Sequence, residues 1–296
     1  MVFFFPRSSG KFGTNADFKI SVGITVGAGV LWNDAYKAVQ KHGRVLVGGL
    51  SADGTVGAAG GWLLGGGHGI ISPLHGLGML LVTAYQPFQL TGLSPGVDNV
   101  IEINIVTADG RYLTVNSHQH SDLFWALRGG GGGTFGVVTS VTYRTHPSTT
   151  LTVVGYNSSS SNPNTMRKIF KEFVRIHPAL SDIGFSGYGS ISNNSLNGFF
   201  ALSNSSIAKM NQSLDSFFEY ARKLTSKEGP NLTTTTSYTY DSFYSFYNDS
   251  FATAQDVEGA YIEIGSRLIP RKSFENDYER LADVLFDLGI GWKYVC

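Results

Sequence analysis

The stretch AAGGWLLGGGHG, residues 58–69, limits what this chain can fold into more than any other part of it. Glycine inside an element costs backbone entropy and gives up side-chain packing, roughly 0.5–1 kcal/mol relative to alanine. Such a run is either a spacer or backbone that must come close to something. Spacers are polar and Gly/Ser-rich, whereas here Trp62, Leu63, Leu64, Ile70 and Ile71 are interleaved with the glycines. That pattern predicts an ordered, buried turn.

A second run, Gly129–Gly136, contains GGGTFG and so formally matches G-x-G-x-x-G. A Rossmann fingerprint needs a strand before it and a helix after it, so that the helix N-terminus faces a pyrophosphate. Here a short helix, DLFWALR, comes first and a β-branched strand, FGVVTSVTY, comes second. The Rossmann reading fails on that order, and no G-x-x-x-x-G-K-[ST] is present. Two glycine turns can still serve a nucleotide cofactor, because bare N–H groups approach a phosphate or the polar edge of a ring system. They point to a large planar cofactor carrying a diphosphate.

Charge narrows the partners. Lys+Arg 22 balance Asp+Glu 22, which leaves no electrostatic footprint for nucleic acid or an anionic membrane surface. No apolar run approaches the roughly 20 residues of a membrane span, and the opening MVFFFP is too short for a signal-peptide core. The one cysteine is Cys296, which excludes an internal disulfide and a cysteine-based metal site. N-x-S/T sequons begin at Asn157, Asn193, Asn204, Asn211, Asn231 and Asn248, and none precedes residue 150. This clustering predicts a secreted chain with N-linked glycans on its second half.

The chain divides near Pro147, giving regions 1–150 and 151–296. In the first, Lys19–Val26 reads as a strand, and Asn33 as the cap of a helix burying Ala35, Tyr36 and Val39 and stopped by Gly43. Arg44–Val47 reads as a brief strand. Val100–Thr107 and Arg111–Val115 form a hairpin about Asp109-Gly110. Ser121 is the expected cap of DLFWALR. In the second region, Thr165–Ile176, Ile207–Leu224 and Phe274–Leu288 have helical periodicity, and Ile183–Ile191, Leu196–Leu202 and Gly259–Ile269 read as strands. Strands backed by helices on one side define an α+β class.

TVGAAGGWLLGGGHG, DNVIE, VTADG and DLFWALRGGGGGTFGVVTSVTYRTHP occur in that order, with GITVGAGVLWNDAYKAV before them and SRLIPR after. Together they resemble the fungal FAD-linked oxidases of the vanillyl-alcohol oxidase / berberine-bridge-enzyme-like superfamily. The resemblance covers most of residues 19–150 and, more loosely, the rest. It implies the second lobe of a PCMH-type FAD-binding domain, followed by a partial substrate domain with an antiparallel sheet backed by helices. It implies FAD as cofactor, contacted by the loop of Thr55, Val56, Gly57, Gly60, Gly61, Gly65, Gly66, Gly67, His68 and Gly69. The turn of Gly133, Thr134 and Gly136 with Val137 and Val138 lies against the cofactor in the same reading. A complete relative would oxidise an alcohol, a carbohydrate or a related small molecule, with dioxygen as acceptor.

Four departures accompany the resemblance. The family's first lobe carries the histidine that links to flavin, and neither His68 nor His42 matches it. Bicovalent members place a cysteine shortly before TVG, where this chain has Ser51-Ala52-Asp53-Gly54. The family's C-terminal segment has no counterpart before Cys296. Finally, deleting Met79–Gly96 restores the family's spacing between HGLG and VDNV. Residues 79–96 are then a translated intron or a lineage-specific loop; transcript reads joining the Gly78 and Val97 codons would support the intron.

The catalytic base is not fixed by any motif. The family often uses a Tyr, Glu or Asp, and Tyr238, Tyr240, Tyr244 and Tyr247 lie in one aromatic run, while Glu263 and Arg267 alternate to one side of a strand or pair with each other. His68 and His75 lack the carboxylates a metal site needs, and His118 and His120 read as a solvated loop. The competing expectation is a catalytically inactive, truncated or mis-spliced fragment persisting as a non-enzymatic secreted glycoprotein. A lectin-like role resting on exposed aromatics is a third.

Overall fold

The structure is a computed structural model that describes residues 2–6, 22–51, 54–72, 96–230, 232–251, 269–287 and 292–295. The expected strand from 259, with Glu263 and Arg267, lies outside the described residues up to 268, as do His75, Asn231 and positions 79–95 of the insertion. The chain groups into two compact units. Among described residues, one holds those up to 72, 96–148 and 243–251, and the other holds 149–242 and those from 269 on.

In the first unit, strands β1 (Val2–Pro6), β2 (Val22–Gly27), β4 (Val100–Val106), β5 (Tyr112–Asn116) and β6 (Val137–Arg144) form an antiparallel sheet in the order β1-β2-β6-β4-β5. Period-2 alternation sets its faces. Val26, Val141, Ile103 and Val115 lie in one cross-strand row, and all are buried. The opposite face is polar and ties its own hydroxyls and amides together: Thr25 to Thr142 at 2.8 Å, Asn104 to Ser140 at 2.9 Å and Thr114 to Asn104 at 2.7 Å. The expected hairpin is present. Gly110 sits at φ +80°, and the Thr107 N–H donates to the Arg111 carbonyl at 3.0 Å.

Helix α1 (Trp32–Gln40) buries Trp32, Ala35, Tyr36 and Val39. Its N-cap is Leu31, not Asn33, and no side chain caps it; the Trp32 N–H is satisfied instead by the Val56 carbonyl at 3.2 Å. Helix α2 (Ser121–Leu127) starts one residue earlier than expected, with His120 at the N-cap in a left-handed conformation, φ +51°. The strand after Gly43 is only β3 (Arg44–Val45), paired with β7 (His146–Pro147).

The second unit is a sheet in the order β11-β8-β10-β9-β12, formed by β8 (Leu151–Ser159), β9 (Ser186–Ile191), β10 (Ser195–Ser203), β11 (Thr233–Tyr240) and β12 (Trp292–Val295). Helices α3 (Pro163–Ile183) and α4 (Ile207–Thr225) cover one face and build an aromatic core of Tyr156, Phe170, Phe173, Phe200, Phe217 and Phe218. The α3 helix runs seven residues past its expected end, through Pro178, because His177 and Leu180 remain buried beyond that point, and Gly184 stops it in a left-handed cap. The last helical segment is split at Asp277 into α6 (Arg271–Asn276) and α7 (Tyr278–Asp287).

One short helix crosses the expected boundary. Helix α5 (Phe243–Ser250) belongs to the first unit although the sequence places it in the second region. Phe243 and Tyr247 pack edge-on against Tyr36 of α1 at ring-centroid distances of 5.1 and 5.0 Å.

Candidate cofactor site

The first glycine block is ordered, as its apolar residues require. Ala58–Leu63 wind into a π-helical turn, with Ala58, Ala59, Trp62 and Leu63 buried. The wider i→i+5 turn is seen directly where the Trp62 N–H donates to the Gly57 carbonyl at 3.1 Å. π-turns are rare and concentrate at functional sites. Two groups pin its start: the Ala58 N–H donates to the Val30 carbonyl at 2.9 Å, and the Tyr143 hydroxyl donates to the Ala58 carbonyl at 2.5 Å. Tyr143 is fully buried, and burial holds its phenol well above the ordinary tyrosine range, so it serves here as a neutral donor.

Trp62 is the template for the following loop. Its indole Nε1–H donates to the His68 carbonyl at 3.1 Å, while the Gly67 N–H donates back to the Trp62 carbonyl at 2.7 Å. A β-carbon on Gly67 would sit 2.3 Å from the Trp62 ring, so the loop can lie on the indole only if residue 67 is bare. Trp62 meets Trp32 edge-on at 5.0 Å, and Trp32 packs against Tyr36 and Tyr143 at 5.3 and 5.5 Å.

The two glycine turns, more than fifty positions apart in sequence, meet. The Gly131 N–H donates to the Leu64 carbonyl at 2.8 Å. A β-carbon on Gly129 would lie 3.5 Å from the Gly66 α-carbon, so the two backbones run alongside each other. The second turn is held at its base by Arg128, which donates to Asp98 at 3.1 Å and lies over the Phe124 ring. Burial raises the Asp98 pKa, and Arg128 and Arg144 pull against that shift.

The glycines sort by what their bareness is for. Gly65, Gly67, Gly69, Gly130 and Gly136 are explained from within: an added β-carbon would fall 2.0 Å from the Gly48 carbonyl oxygen at Gly69 and 2.4 Å from the Val106 carbonyl oxygen at Gly136. Gly60, Gly132 and Gly133 are different, because an added β-carbon at any of them would meet nothing within 4 Å. Gly57 and Gly61 meet only ordinary contacts, at 3.7 and 3.5 Å. Gly60 and Gly132 leave backbone open where the fold itself has no use for the space, whereas Gly133, at φ +72°, also needs glycine for its own conformation. Open main chain of this kind offers a cradle to a cofactor held by main-chain groups.

The remaining expected site residues are placed as follows. Thr55, Gly61, Gly65, Gly66, His68, Gly133 and Thr134 are exposed; Val56, Gly57, Gly60, Gly67 and Gly136 are half-buried; Gly69 is buried. Partial desolvation lowers the His68 pKa, favouring a neutral imidazole. Val137 is 70% exposed, whereas Val138 is buried in the sheet core, so only its main chain is available to a ligand. Trp62 and Tyr143 shape the site and were not among the expected site residues, although both lie inside the quoted motifs. Among the candidate tyrosines, Tyr247 is core and Tyr238 is 59% exposed. No group of three potential metal ligands occurs among the described residues, and no described helix is long and apolar enough to cross a membrane.

An antiparallel sheet carrying a π-turn and two touching glycine turns makes the first unit an α+β domain with main chain left open at its glycines. No family model matches the chain. An uncharacterised FAD-linked oxidoreductase of Arthroderma benhamiae is 43% identical over 171 residues, 57% of this chain and 26% of that protein. A second from the same organism is 31% identical over 271 residues, 89% of this chain and 43% of that protein. The crystal structure of the VAO-type flavoprotein MtVAO615 from Myceliophthora thermophila superposes with a TM-score of 0.71 at 27% identity, covering 97% of this chain and 47% of that one. The chain is similar to FAD-linked oxidoreductases and to a VAO-type flavoprotein, and it spans less than half the length of these relatives.

Proposed function

We propose that this chain contributes the glycine-cradle half of an FAD-dependent oxidoreductase acting on an alcohol, carbohydrate or related small molecule. The observation that carries the reading is the meeting of the two glycine turns, with open backbone at Gly60, Gly132 and Gly133. FAD, when bound, supplies the two-electron acceptor, with dioxygen as the terminal oxidant. The chain's own part is to bind and orient. Main-chain groups of the cradle fix the cofactor without side chains intervening. Trp62 and Tyr143 hold the first turn in shape, and the Arg128–Asp98 pair holds the second. The exposed Val137 and Phe135 offer an apolar flank that excludes water from one side. The secretory setting expected from the sequons belongs to the same proposal.

The test is the visible absorption spectrum of the purified chain after incubation with FAD and desalting. A retained flavin band supports the reading, and substrate screening with peroxide detection then follows. A folded chain that retains no flavin refutes it for this chain and favours the inactive-fragment alternative.

A further inference from the structure

The sequons are a sequence signal that the cofactor site does not absorb, and the second unit separates them by environment. The far end of its sheet is built where three segments converge: the end of β8, the β9–β10 turn and the start of β11. The Ser159 N–H donates to the Leu232 carbonyl at 2.8 Å, and the Ser160 N–H donates to the Asn194 carbonyl at 3.0 Å. Four asparagines crowd this rim, Asn157, Asn193, Asn194 and Asn197, and Asn157 pairs directly with Asn197 across the strands.

Their amides are used differently. Asn197 accepts from the Ser190 hydroxyl at 2.9 Å, and Asn194 accepts from the Ser192 hydroxyl at 2.8 Å. Neither of these two begins a sequon. Asn157 and Asn193 do begin sequons, both are exposed, and neither side chain hydrogen-bonds to another described residue. The polar side chains that hold the rim together are therefore not the ones that carry the acceptor motif. A bulky hydrophilic group on Asn157 or Asn193 would extend into solvent without breaking a contact.

Asn211 is the internal contrast. It also begins a sequon, but it sits within α4 between Met210 and Leu214, both fully buried, and is itself half-buried. An oligosaccharide there would have to leave from a half-buried position beside the apolar face of α4.

We infer that Asn157 and Asn193 are paired N-glycan acceptor sites that cap one rim of the second sheet, and that Asn211 is not an acceptor in the folded chain. The inference rests on the secretory part of the reading above, but not on flavin binding. Its test supplies a secretion leader to the full chain in a eukaryotic host and reads site occupancy by glycopeptide mass spectrometry. In the secreted fraction, Asn157 and Asn193 should be occupied in most molecules and Asn211 vacant. Asn157→Gln and Asn193→Gln should each remove one glycan-sized step in electrophoretic mobility, and the double variant should remove two. Vacancy at either rim site, or equal occupancy at Asn211, overturns the inference. If no chain is secreted, occupancy of Asn157 and Asn193 in the retained pool decides in the same way. Because the leader is supplied, the acceptor sites are tested separately from the natural destination, which localisation of the natural gene product reads.

Discussion

Replacing Trp62 by phenylalanine tests the template role of its indole. The substitution removes the Nε1–H that donates to the His68 carbonyl at 3.1 Å. A lost hydrogen bond costs about 0.5–1.5 kcal/mol, and up to ~3 kcal/mol where the abandoned acceptor stays dry. Trp62 is 5% exposed, so the smaller ring also leaves a void beneath Gly67 and loosens the edge-on contact with Trp32; together these add about 1–2 kcal/mol. The expected total is about 2–4 kcal/mol. Trp32→Phe supplies the control. Trp32 is fully buried, and its Nε1 has no hydrogen-bond partner among the described residues. Its replacement therefore loses packing of similar size but abandons no acceptor. Urea unfolding followed by far-UV circular dichroism gives both values from midpoint and slope. Trp62→Phe should cost at least ~1 kcal/mol more than Trp32→Phe, and should weaken flavin retention more. Equal costs, or a larger cost at Trp32, would show that the indole N–H does not hold the loop.

Four further outcomes are expected. Gly69→Ala places a β-carbon 2.0 Å from the Gly48 carbonyl oxygen, so two backbone segments must part; a loss of at least ~1–3 kcal/mol should show as a lowered urea midpoint. Gly132→Ala enters open space at an ordinary φ, so the same assay should show stability within about 0.5 kcal/mol of the parent, while flavin retention after desalting falls; unchanged retention would remove Gly132 from the cradle. Tyr143→Phe abandons the buried Ala58 carbonyl and should cost about 1–3 kcal/mol by thermal or urea unfolding. His177, buried against Phe173 and Phe274, is held down to about 4 by desolvation, below its ordinary value of 6.5. The unfolded chain then binds the extra proton first, so stability is full above pH 6.5 and is lost as pH falls toward 4, by about 3 kcal/mol. His177→Phe, which keeps the ring stack, should flatten that part of a stability-versus-pH curve.

The elements legible in the sequence were those whose periodicity and punctuation agree. The hairpin about Asp109-Gly110 and the buried face of α4 are of this kind, because a turn dipeptide or a helical apolar stripe has one reading. The missed elements mix signals. β8 is an interior strand of its sheet, yet its second half, YNSS, is polar, and it pairs through backbone that composition does not reveal. β11, TTTTSYTY, alternates among polar residues, and α5, FYSFYNDS, is too short for a helical stripe to stand out. Periodicity ended α3 at Ile176, and burial of His177 and Leu180 carries the helix on through Pro178. At the site, the glycine runs announced themselves singly. That Gly66 and Gly129 lie side by side is a long-range fact, held by the Gly131 N–H donating to the Leu64 carbonyl.

The excursion of α5 has a consequence for how the chain matures. A ribosome that has released residue 148 has made every strand of the first unit's sheet, but not the two aromatic rings that close over Tyr36. Those arrive only at residues 243 and 247, after the central strands and two long helices of the second unit have been made. The first unit must wait, with a gap in its aromatic wall, through nearly a hundred residues of further synthesis. A gene cut at the apparent border would yield a piece permanently at that waiting stage, so the border seen in the sequence is not where production of the first unit ends.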